Sequence, residues 1–471
     1  MNNTGLKDKR AREKIADVLD KNLLVEAGAG SGKTTSLVKR LVALIKSGKN
    51  TADEIAAITF KRKAAAELKE RFHLKLEEEI NECENKKEKQ NMKKALENLD
   101  QCFTGTIHSF CARILRERPV EAAIDPDFDE IDDIEEKALL EGSWEEYLDL
   151  AVNDNSEVLK KLYELGISPL DLKNNFKKLA LYPEIDVKVE KVNKPDLDNV
   201  LQRILEFAKE AKKYIPDSEP QKGYDKLQKT VNYVFRMKNY LNLNEDKNII
   251  KLFKRFDKKQ KVTLYKWLDK DIAREYRDQK TKFLKDNYIL PALNQWKEYS
   301  HYYIYEFLKP ALDYYKYKRK KKGVVNFQDL LLLTAKLLKE NSEVRKYFHN
   351  QYKTLLVDEF QDTDPVQAEI IFYLTASNFE EKRWDKCNPE DGSLFVVGDP
   401  KQSIYRFRRA DIDIYQKVKR LILKSGGEVL NLTSNFRSLN SIGDYLNPVF
   451  KNIYPDKSNK YQAQFAPLNT V

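Results

Sequence analysis

One glycine-rich stretch of the chain has the composition of a phosphate-binding loop. It reads AGAGSGKT and stands between a short apolar segment and a segment with helical periodicity. Glycines let the backbone turn so that several N–H groups point inward at a helix N-terminus, where phosphate binds well. Lys33 would supply a positive charge for the terminal phosphates, and Thr34 a hydroxyl for Mg²⁺. We therefore predict a nucleoside triphosphate site at Ala27, Gly28, Ala29, Gly30, Ser31, Gly32, Lys33, Thr34 and Thr35.

A pair of acids follows a second apolar segment, in TLLVDEFQD. Leu355, Leu356 and Val357 have the character of a buried strand, and Asp358 comes where that strand ends. Ligands of open parallel sheets bind at such strand ends. Asp358 is therefore predicted to hold Mg²⁺ through water, and Glu359 to take a proton from an attacking water. Adjacent acids are also common in solvated turns, and the phosphate loop favours the catalytic interpretation.

A third apolar segment leads into VVGDPKQSIYRFRRAD. Asp399 and Gln402 follow its apolar part, and the amide of Gln402 can both donate to and accept from a terminal phosphate group. Tyr405 and Phe407 then alternate with arginines. Rings stack on nucleic acid bases, which contributes about 1–3 kcal/mol per base, and cations follow the backbone. The segment predicts contact with a single-stranded nucleic acid. The alternative is that both rings pack in a core and the arginines lie on the surface.

A parallel sheet would bring these residues together. Strand-like segments alternate with segments of helical periodicity, which predicts an α/β fold with a parallel sheet covered by helices. The predicted strands lie within NLLVE, EIAAITF, QCFTGTIHSF, YKTLLVDEF, SLFVVGDP and EVLNLTSNF. Strand-like segments become rare between residues 121 and 322, where Lys-, Tyr- and Leu-rich stretches dominate. We predict one discontinuous domain of residues 1–120 and 323–440, interrupted by a large all-helical insertion at 121–322.

The composition limits the class of protein. A chain of 471 residues is too long for one hydrophobic core, so more than one domain is expected. The net charge of +10 favours polyanionic partners only weakly on so large a surface. No apolar run approaches the ~20 residues that cross a bilayer, and the N-terminal segment has no apolar signal core. Four cysteines without metal-ligand spacing favour reduced thiols. We predict a cytoplasmic protein without a membrane partner.

Several motifs occur in the order AGAGSGKT, ITFKRKAAAELKERF, GTIHSFCARIL, VDEFQDTDPVQ, VGDPKQSIYRFRRAD and LTSNFRS. Together they resemble the motifs of superfamily 1 DNA helicases of the UvrD/RecB kind, and the third and fourth are most similar to the RecB and AddA branch. The resemblance implies a RecA-like P-loop NTPase domain that uses ATP and Mg²⁺. It also implies 3′ to 5′ translocation on single-stranded DNA in DNA repair or recombination. The implied partners are single-stranded DNA, duplex junctions and a partner subunit of a helicase–nuclease complex.

The resemblance also implies roles for individual residues. The positions that match base-stacking residues are Phe60, Tyr405 and Phe407, and those beside the DNA strand are Thr59, His108 and Arg408. Lys61 and Arg62 replace a more usual Thr-Asn pair of the family and add positive charge beside the expected DNA track. Positions that couple the nucleotide to DNA match Gln367 and Gln402. Arg437 matches an arginine that reaches the γ-phosphate, and Phe436 a ring that packs on adenine. Guanidinium groups pair well with phosphate oxygens, which favours this role for Arg437. The alternative is a surface arginine that caps a helix.

The chain departs from the family pattern in two places that matter for function. Arg10 stands where a glutamine usually reads adenine, which leaves the selectivity for ATP open. Residues 441–471 are expected to begin a second RecA-like domain that is otherwise missing. We therefore predict the N-terminal ATP-binding portion of a helicase, weak or inactive by itself. The alternative is a P-loop nucleotide switch or DNA-binding module without motor activity.

Overall fold

The computed structural model describes residues 6–154, 156–183, 185, 187–240, 242–404, 412–456, 462 and 464–471. The chain forms two compact units. The first combines Met1–Ile131 with Gly323–Val471, and the second is Asp132–Lys322. None of the helices in the described ranges is long and apolar enough to cross a lipid bilayer.

The first unit is built on a six-stranded sheet whose strands are all parallel. The six strands are β1 (Leu23–Ala27), β2 (Ile55–Thr59), β3 (Phe103–Thr106), β6 (Thr354–Val357), β7 (Leu394–Gly398) and β8 (Glu428–Leu432). They lie in the order β3-β2-β6-β7-β1-β8. Two further parallel pairs join β4 (Asp129–Glu130) to β5 (Val324–Val325) and β9 (Ser434–Asn435) to β10 (Asn469–Thr470). The predicted fold class, a parallel sheet with a helical region, is confirmed.

Successive residues of the central strands enter two different cores. Leu24 and Val396 pack into the core on one face, and Leu23 and Val397 into the core on the other. Strands that are buried on both faces are apolar throughout, because each side chain meets a layer of helices. This arrangement explains why the inner strands β2, β6 and β7 have largely continuous apolar sequences and not alternating patterns.

Helices cover both faces of the sheet. Those that supply one core are α2 (Lys33–Lys46), α3 (Arg62–Glu82) and α4 (Lys86–Glu97), which follow α1 (Lys9–Asp17). Those that supply the other are α5 (Ile107–Glu117), α16 (Phe327–Glu340), α17 (Ser342–Gln351), α18 (Pro365–Thr375) and α19 (Ile412–Lys424). The short α6 (Pro119–Ala122) and the late α20 (Asn440–Lys451) complete the unit.

The described residues of the second unit form helices joined by loops and contain no strand. Its elements are α7 (Asp133–Asn153), α8 (Glu157–Glu164), α9 (Lys173–Ala180), α10 (Leu197–Lys212), α11 (Lys226–Tyr240), α12 (Asp246–Asp257), α13 (Lys270–Glu275), α14 (Thr281–Leu284) and α15 (Leu290–Lys322). Single π-helical segments at Tyr276–Lys280 and Lys285–Ile289 join the last three helices. Large aromatic side chains fill its two cores, among them Trp144 and Trp296.

The boundary of the first unit differs from the one that composition suggested. Residues 121–131, which the sequence pattern assigned to the insertion, pack with the first unit. Phe128 is buried in a core of the sheet, and β4 pairs with β5 on the returning chain. Local composition could not identify this boundary, because the partner of β4 lies almost two hundred residues later in the chain.

Asn22 links the starts of three neighbouring strands. Its fully buried side chain accepts a hydrogen bond from the Leu394 N–H at 2.9 Å and donates to the Pro389 carbonyl at 3.2 Å. Its own carbonyl accepts from the Glu428 N–H at 2.9 Å. The residue that precedes β1 therefore aligns β7 and β8 on either side of it.

Replacing Asn22 by Ala should lower the free energy of unfolding by about 1–3 kcal/mol, because the buried Leu394 N–H would lose its acceptor. Urea unfolding, followed by circular dichroism, measures this change. Asn98→Ala is the control, since its side chain makes an exposed hydrogen bond to the Lys94 carbonyl. Equal stability of the two variants would contradict the proposed role of Asn22.

Candidate functional site

The loop predicted to bind phosphate joins β1 to the start of α2, at the edge where the parallel strands end. Neighbouring strands in the order β6-β7-β1 place the ends of three strands side by side. Asp358 follows β6, and Asp399 follows β7. The structure therefore brings these two acids and the glycine-rich loop to one edge of the sheet.

Two glycines of this loop adopt backbone conformations that other residues avoid. Gly30 has φ of 72° and Gly32 has φ of 87°. A Cβ atom on Gly30 would also lie 2.5 Å from the Cβ of Arg437 and 2.9 Å from the Asn435 amide nitrogen. Only glycine fits there, because a side chain would be excluded both by the backbone conformation and by the neighbouring segment.

Lys33 and Glu359 form an ion pair across the site. The Lys33 Nζ atom lies 2.9 Å from Glu359 Oε2, and the lysine side chain is only 12% exposed. Glu359 has φ of 50°, a left-handed conformation that costs free energy for a residue with a side chain. The structure thus holds this acid against the lysine of the phosphate loop at some cost to the backbone. A bound phosphate would compete with Glu359 for Lys33.

Asp358 is half-buried next to this ion pair. One of its carboxylate oxygens accepts the Glu359 N–H at 2.9 Å. Burial, together with the negative charge of Glu359, raises the pKa of Asp358 to about 6. A nearby cation would favour the ionised carboxylate again.

The residues at this edge fit Mg²⁺ better than a tightly caged metal. In the described ranges, no three acidic, histidine or cysteine side chains cluster closely enough to hold a metal ion by themselves. Mg²⁺ commonly takes one or two protein oxygens and completes its shell with phosphate and water. Asp358 and the Thr34 hydroxyl, in the first turn of α2, would supply such oxygens.

Gln361 is a buried residue of the site that the sequence analysis did not identify. Its amide nitrogen donates to Glu359 Oε2 at 2.7 Å, and its amide oxygen accepts the Asp399 N–H at 2.8 Å. The side chain therefore orients Glu359 and links the ends of β6 and β7. Its only sequence signal was an amide placed two residues after an acid, which is too weak to assign a partner.

The side chain of Gln402 is held by a hydrogen bond to Asp399. Its amide nitrogen donates to Asp399 Oδ2 at 2.8 Å, and Lys401 Nζ lies 2.9 Å from the other oxygen of the same carboxylate. Asp399 is buried and holds both side chains in place. The residues that follow, 405–411, are outside the described residues, and so are the predicted DNA contacts Tyr405, Phe407 and Arg408.

The other predicted DNA contacts lie at the ends of β2 and β3. Thr59 is buried and donates to the Lys61 carbonyl at 3.1 Å, Phe60 is half-buried, and Lys61 and Arg62 are exposed. His108 lies in the first turn of α5. Burial, together with the charge of Arg62, lowers the pKa of His108 to about 4. This histidine is therefore neutral at neutral pH and can offer a ring or a hydrogen bond, but not a charge.

Gln367 has its contacts away from the phosphate loop. It lies in the first turn of α18, where its N–H donates to Asp364 Oδ1 at 2.7 Å. None of the hydrogen bonds among the described residues joins its side chain to the loop. The structure thus gives Gln367 a helix-capping contact and leaves its coupling role a prediction.

The segment after β9 is attached directly to the phosphate loop. The Phe436 N–H donates to the Gly30 carbonyl at 2.9 Å, and the Asn435 amide donates to the Ala29 carbonyl. Asn435 also accepts the Arg437 N–H at 3.0 Å. These contacts bring Phe436 and Arg437 beside the loop, with both side chains exposed.

Arg12, and not Arg10, is the α1 arginine that contacts the loop. Arg10 is exposed. Arg12 donates to the Ser31 carbonyl at 2.9 Å, pairs with the Asp8 carboxylate at 2.8 Å, and lies 5.0 Å from the centre of the Phe436 ring. Arg10 remains the residue at the family's glutamine position, and the arginine of α1 that contacts the loop lies two residues later in the helix.

Comparison with known proteins agrees with this fold. Residues 8–422 match the model of the UvrD/REP helicase N-terminal domain, so the chain belongs to that family. The resemblance to superfamily 1 helicases of the UvrD/RecB kind, including AddA, is confirmed.

Curated relatives point to one kind of protein, the AddA subunit of an ATP-dependent helicase/nuclease. The relative from Ligilactobacillus salivarius (strain UCC118) is 28% identical over 96% of this chain and 39% of that protein. Proteins of the same name from Listeria welshimeri and Enterococcus faecalis are 28% and 27% identical, over 91% and 93% of this chain and 38% of each relative. The chain thus spans about two fifths of the length of the relatives it matches.

Replacing Asp358 by Asn should stabilise the nucleotide-free protein, and more so at pH 8 than at pH 4. The folded pKa of about 6 lies above the usual value of 3.8, so the wild type loses stability as the pH rises through this interval. Asparagine does not ionise. The difference in the free energy of unfolding should grow from about 0.5 kcal/mol at pH 4 to about 1–3 kcal/mol at pH 8. Urea unfolding at both pH values measures it.

Asp385→Asn is the control of opposite sign. Hydrogen bonds from Arg383 and Lys417 hold the pKa of Asp385 well below its usual value. Its ionised form is therefore the stabilising one, and this variant should be less stable than wild type at both pH values. If Asp358→Asn lowered the free energy of unfolding at pH 8, that result would contradict the electrostatics described for the site.

Proposed function

We propose that residues 1–471 are the N-terminal, ATP-binding motor portion of a UvrD/RecB-like DNA helicase. Such a protein would couple ATP hydrolysis to 3′ to 5′ translocation on single-stranded DNA, in DNA repair or recombination. The observation that carries the proposal is the 2.9 Å contact between Lys33 of the phosphate loop and Glu359 at the end of β6. It supports the assignment of both residues to one phosphate-transfer site.

The arrangement supports a specific sequence of events at the protein's own residues. The backbone N–H groups of the loop and Lys33 would bind the β- and γ-phosphates, and Lys33 would exchange Glu359 for a phosphate oxygen. Glu359, still oriented by Gln361, would then be free to take a proton from the attacking water. Bound Mg²⁺, held by Thr34 and Asp358, would neutralise phosphate charge. Arg437 would approach the γ-phosphate from the segment after β9.

The order of the strands supports a DNA path beside the nucleotide. Thr59, Phe60, Lys61 and Arg62 lie at the end of β2, and His108 follows β3. These two strands continue the sheet directly from β6. Nucleotide and DNA contacts would thus occupy neighbouring strand ends on the same edge. Gln402, which precedes the segment with Tyr405, Phe407 and Arg408, would couple the two, together with Gln367.

The relatives' names support a larger assembly. We propose that the full protein is cytoplasmic and works with a partner subunit in a helicase–nuclease complex, on duplex ends or junctions. The helical unit Asp132–Lys322 would serve as an accessory domain, whose lysines contact DNA phosphates or the partner. Contacts to phosphate would make binding weaken as salt increases.

Replacing Lys33 by Ala should weaken ATP binding about 10- to 100-fold, because a charge-assisted contact to phosphate contributes about 1.5–3 kcal/mol. Titration with a fluorescent ATP analogue, with and without single-stranded DNA, measures this. Lys39→Ala is the matched control, because Lys39 is an exposed lysine on the same helix. If Lys33→Ala bound ATP as tightly as wild type, the phosphate-loop assignment would fail.

Residues 1–471 by themselves should hydrolyse ATP slowly, even with single-stranded DNA. An arginine from a facing domain commonly accelerates phosphoryl transfer, by roughly 10³–10⁵, and the described residues contain a single six-stranded sheet. A radiolabelled ATP assay with Lys33→Ala as the blank measures the rate. Fast, DNA-stimulated turnover would refute this expectation. Nucleotide binding without turnover would favour the alternative function of a nucleotide switch.

A further inference from the structure

Arg12, on α1, is held in one orientation beside the phosphate loop. Arg12 Nε and Nη2 donate to the two carboxylate oxygens of Asp8 at 3.0 and 2.8 Å, and Nη2 also donates to the Ser31 carbonyl at 2.9 Å. Both side chains of the pair are largely buried. A bidentate pair of this kind restricts the guanidinium plane to one orientation.

The carboxylate of Asp8 also accepts hydrogen bonds from a residue of β9. Ser434, in β9, donates to its carboxylate through the backbone N–H at 3.0 Å and through the hydroxyl at 2.9 Å. Burial acts to raise the pKa of Asp8, but the hydrogen bonds from Arg12 and Ser434 outweigh it and leave the pKa below its usual value. The carboxylate is therefore ionised and fully occupied at neutral pH, and Arg12 cannot leave it without loss.

Arg12 lies over the ring of Phe436. The distance from the guanidinium carbon to the ring centre is 5.0 Å, within the range of a cation–π contact. The backbone of Phe436 is tied to the loop by its N–H, which donates to the Gly30 carbonyl at 2.9 Å. Phe436 is nevertheless 47% exposed, so an aromatic side chain lies open to solvent beside the phosphate loop.

We infer that Arg12 is a positioning residue for the nucleobase: it holds the Phe436 ring as the surface on which the base of a bound nucleoside triphosphate stacks. The inference rests on the proposed nucleotide site and deepens it. It gives the positioning role on α1 to Arg12, although Arg10 stands at the position where the family pattern has its base-reading residue. Arg12 acts through the ring, and it contacts the loop only at a carbonyl.

Arg10 offers a matched comparison on the same helix. An α-helix turns by about 100° per residue, so residues two apart point in roughly opposite directions. Arg10 is exposed, and it carries the same charge as Arg12. Removing either side chain changes the net charge equally, so any difference between the variants reports the position of the guanidinium.

Equilibrium binding of ATP and of inorganic tripolyphosphate separates the base contact from the phosphate contact. Arg12→Ala should weaken ATP binding about 3- to 10-fold, the effect expected from losing a cation–π contact that orients a stacking ring. Tripolyphosphate binding should change less than about twofold, because the phosphate loop remains. Lys9→Ala, at an exposed lysine of the same helix, is the control that should leave both affinities unchanged, and Arg10→Ala tests whether the residue on α1 that affects ATP binding is Arg10 instead.

A double-mutant cycle tests whether Arg12 acts through the ring. Phe436→Ala should also weaken ATP binding and spare tripolyphosphate. Adding Arg12→Ala to Phe436→Ala should then cost no further affinity for ATP, since residues in one contact are not additive. Additive losses would overturn the inference, as would an equal loss of tripolyphosphate binding or a loss of ATP binding in Arg10→Ala.

A further variant distinguishes a loss of folding stability from a loss of ATP binding. Arg12→Ala leaves a buried carboxylate without its cation, so the double variant Asp8→Asn with Arg12→Gln provides a neutral pair of similar size. It should retain the thermal midpoint better and show the same selective loss of ATP affinity.

If wild type bound neither ATP nor tripolyphosphate, or if Lys33→Ala bound both normally, the proposed function itself would fail. An ATP affinity unchanged by Arg12→Ala, in a protein that binds both ligands, would refute only the role of Arg12.

Discussion

The ion pair between Lys33 and Glu359 is the contact on which the rest of the site depends. It joins Lys33, in the first turn of α2, to Glu359, which follows Asp358 after β6. The Lys33 Nζ atom lies 2.9 Å from Glu359 Oε2. The Lys33 side chain is only 12% exposed, so its charge is largely removed from water and depends on this partner. In the proposed function, a phosphate oxygen would replace Glu359 as the partner of Lys33. The left-handed backbone of Glu359 is part of the same arrangement.

Behind this ion pair, buried polar groups connect one strand end to the next. Gln361 joins Glu359 to the backbone of Asp399, and the Asp399 carboxylate in turn holds Gln402. The hydrogen bond between Gln361 and the Asp399 N–H is buried, and the other two are partly buried, so an unpaired partner would be costly. A change at the phosphate site therefore has a continuous path of hydrogen bonds to the segment after β7. Binding experiments measure the coupling energy along that path, which geometry alone does not give.

A second set of contacts closes the other side of the loop. The residues around β9 are fastened to it by Asn435 and Phe436, and they are joined to α1 through Ser434, Asp8 and Arg12. These contacts unite the beginning of the chain with residues more than four hundred positions later. The phosphate loop is thus held from both sides by segments that the sheet brings together.

The sequence by itself determined the strands, the glycine-rich loop and the acids at the strand ends. Each of these features is a local pattern: an apolar run such as Leu355 to Val357, or glycines where the backbone must turn. The sequence also indicated the family, because several such patterns occur in a fixed order. Only the tertiary structure decided that Arg12 and not Arg10 contacts the loop, that Gln361 orients Glu359, and that residues 121–131 belong with the sheet. Those outcomes depend on contacts between residues far apart in the chain. A local pattern predicts whether a segment is a helix or a strand, but it does not predict which distant residue that segment will contact.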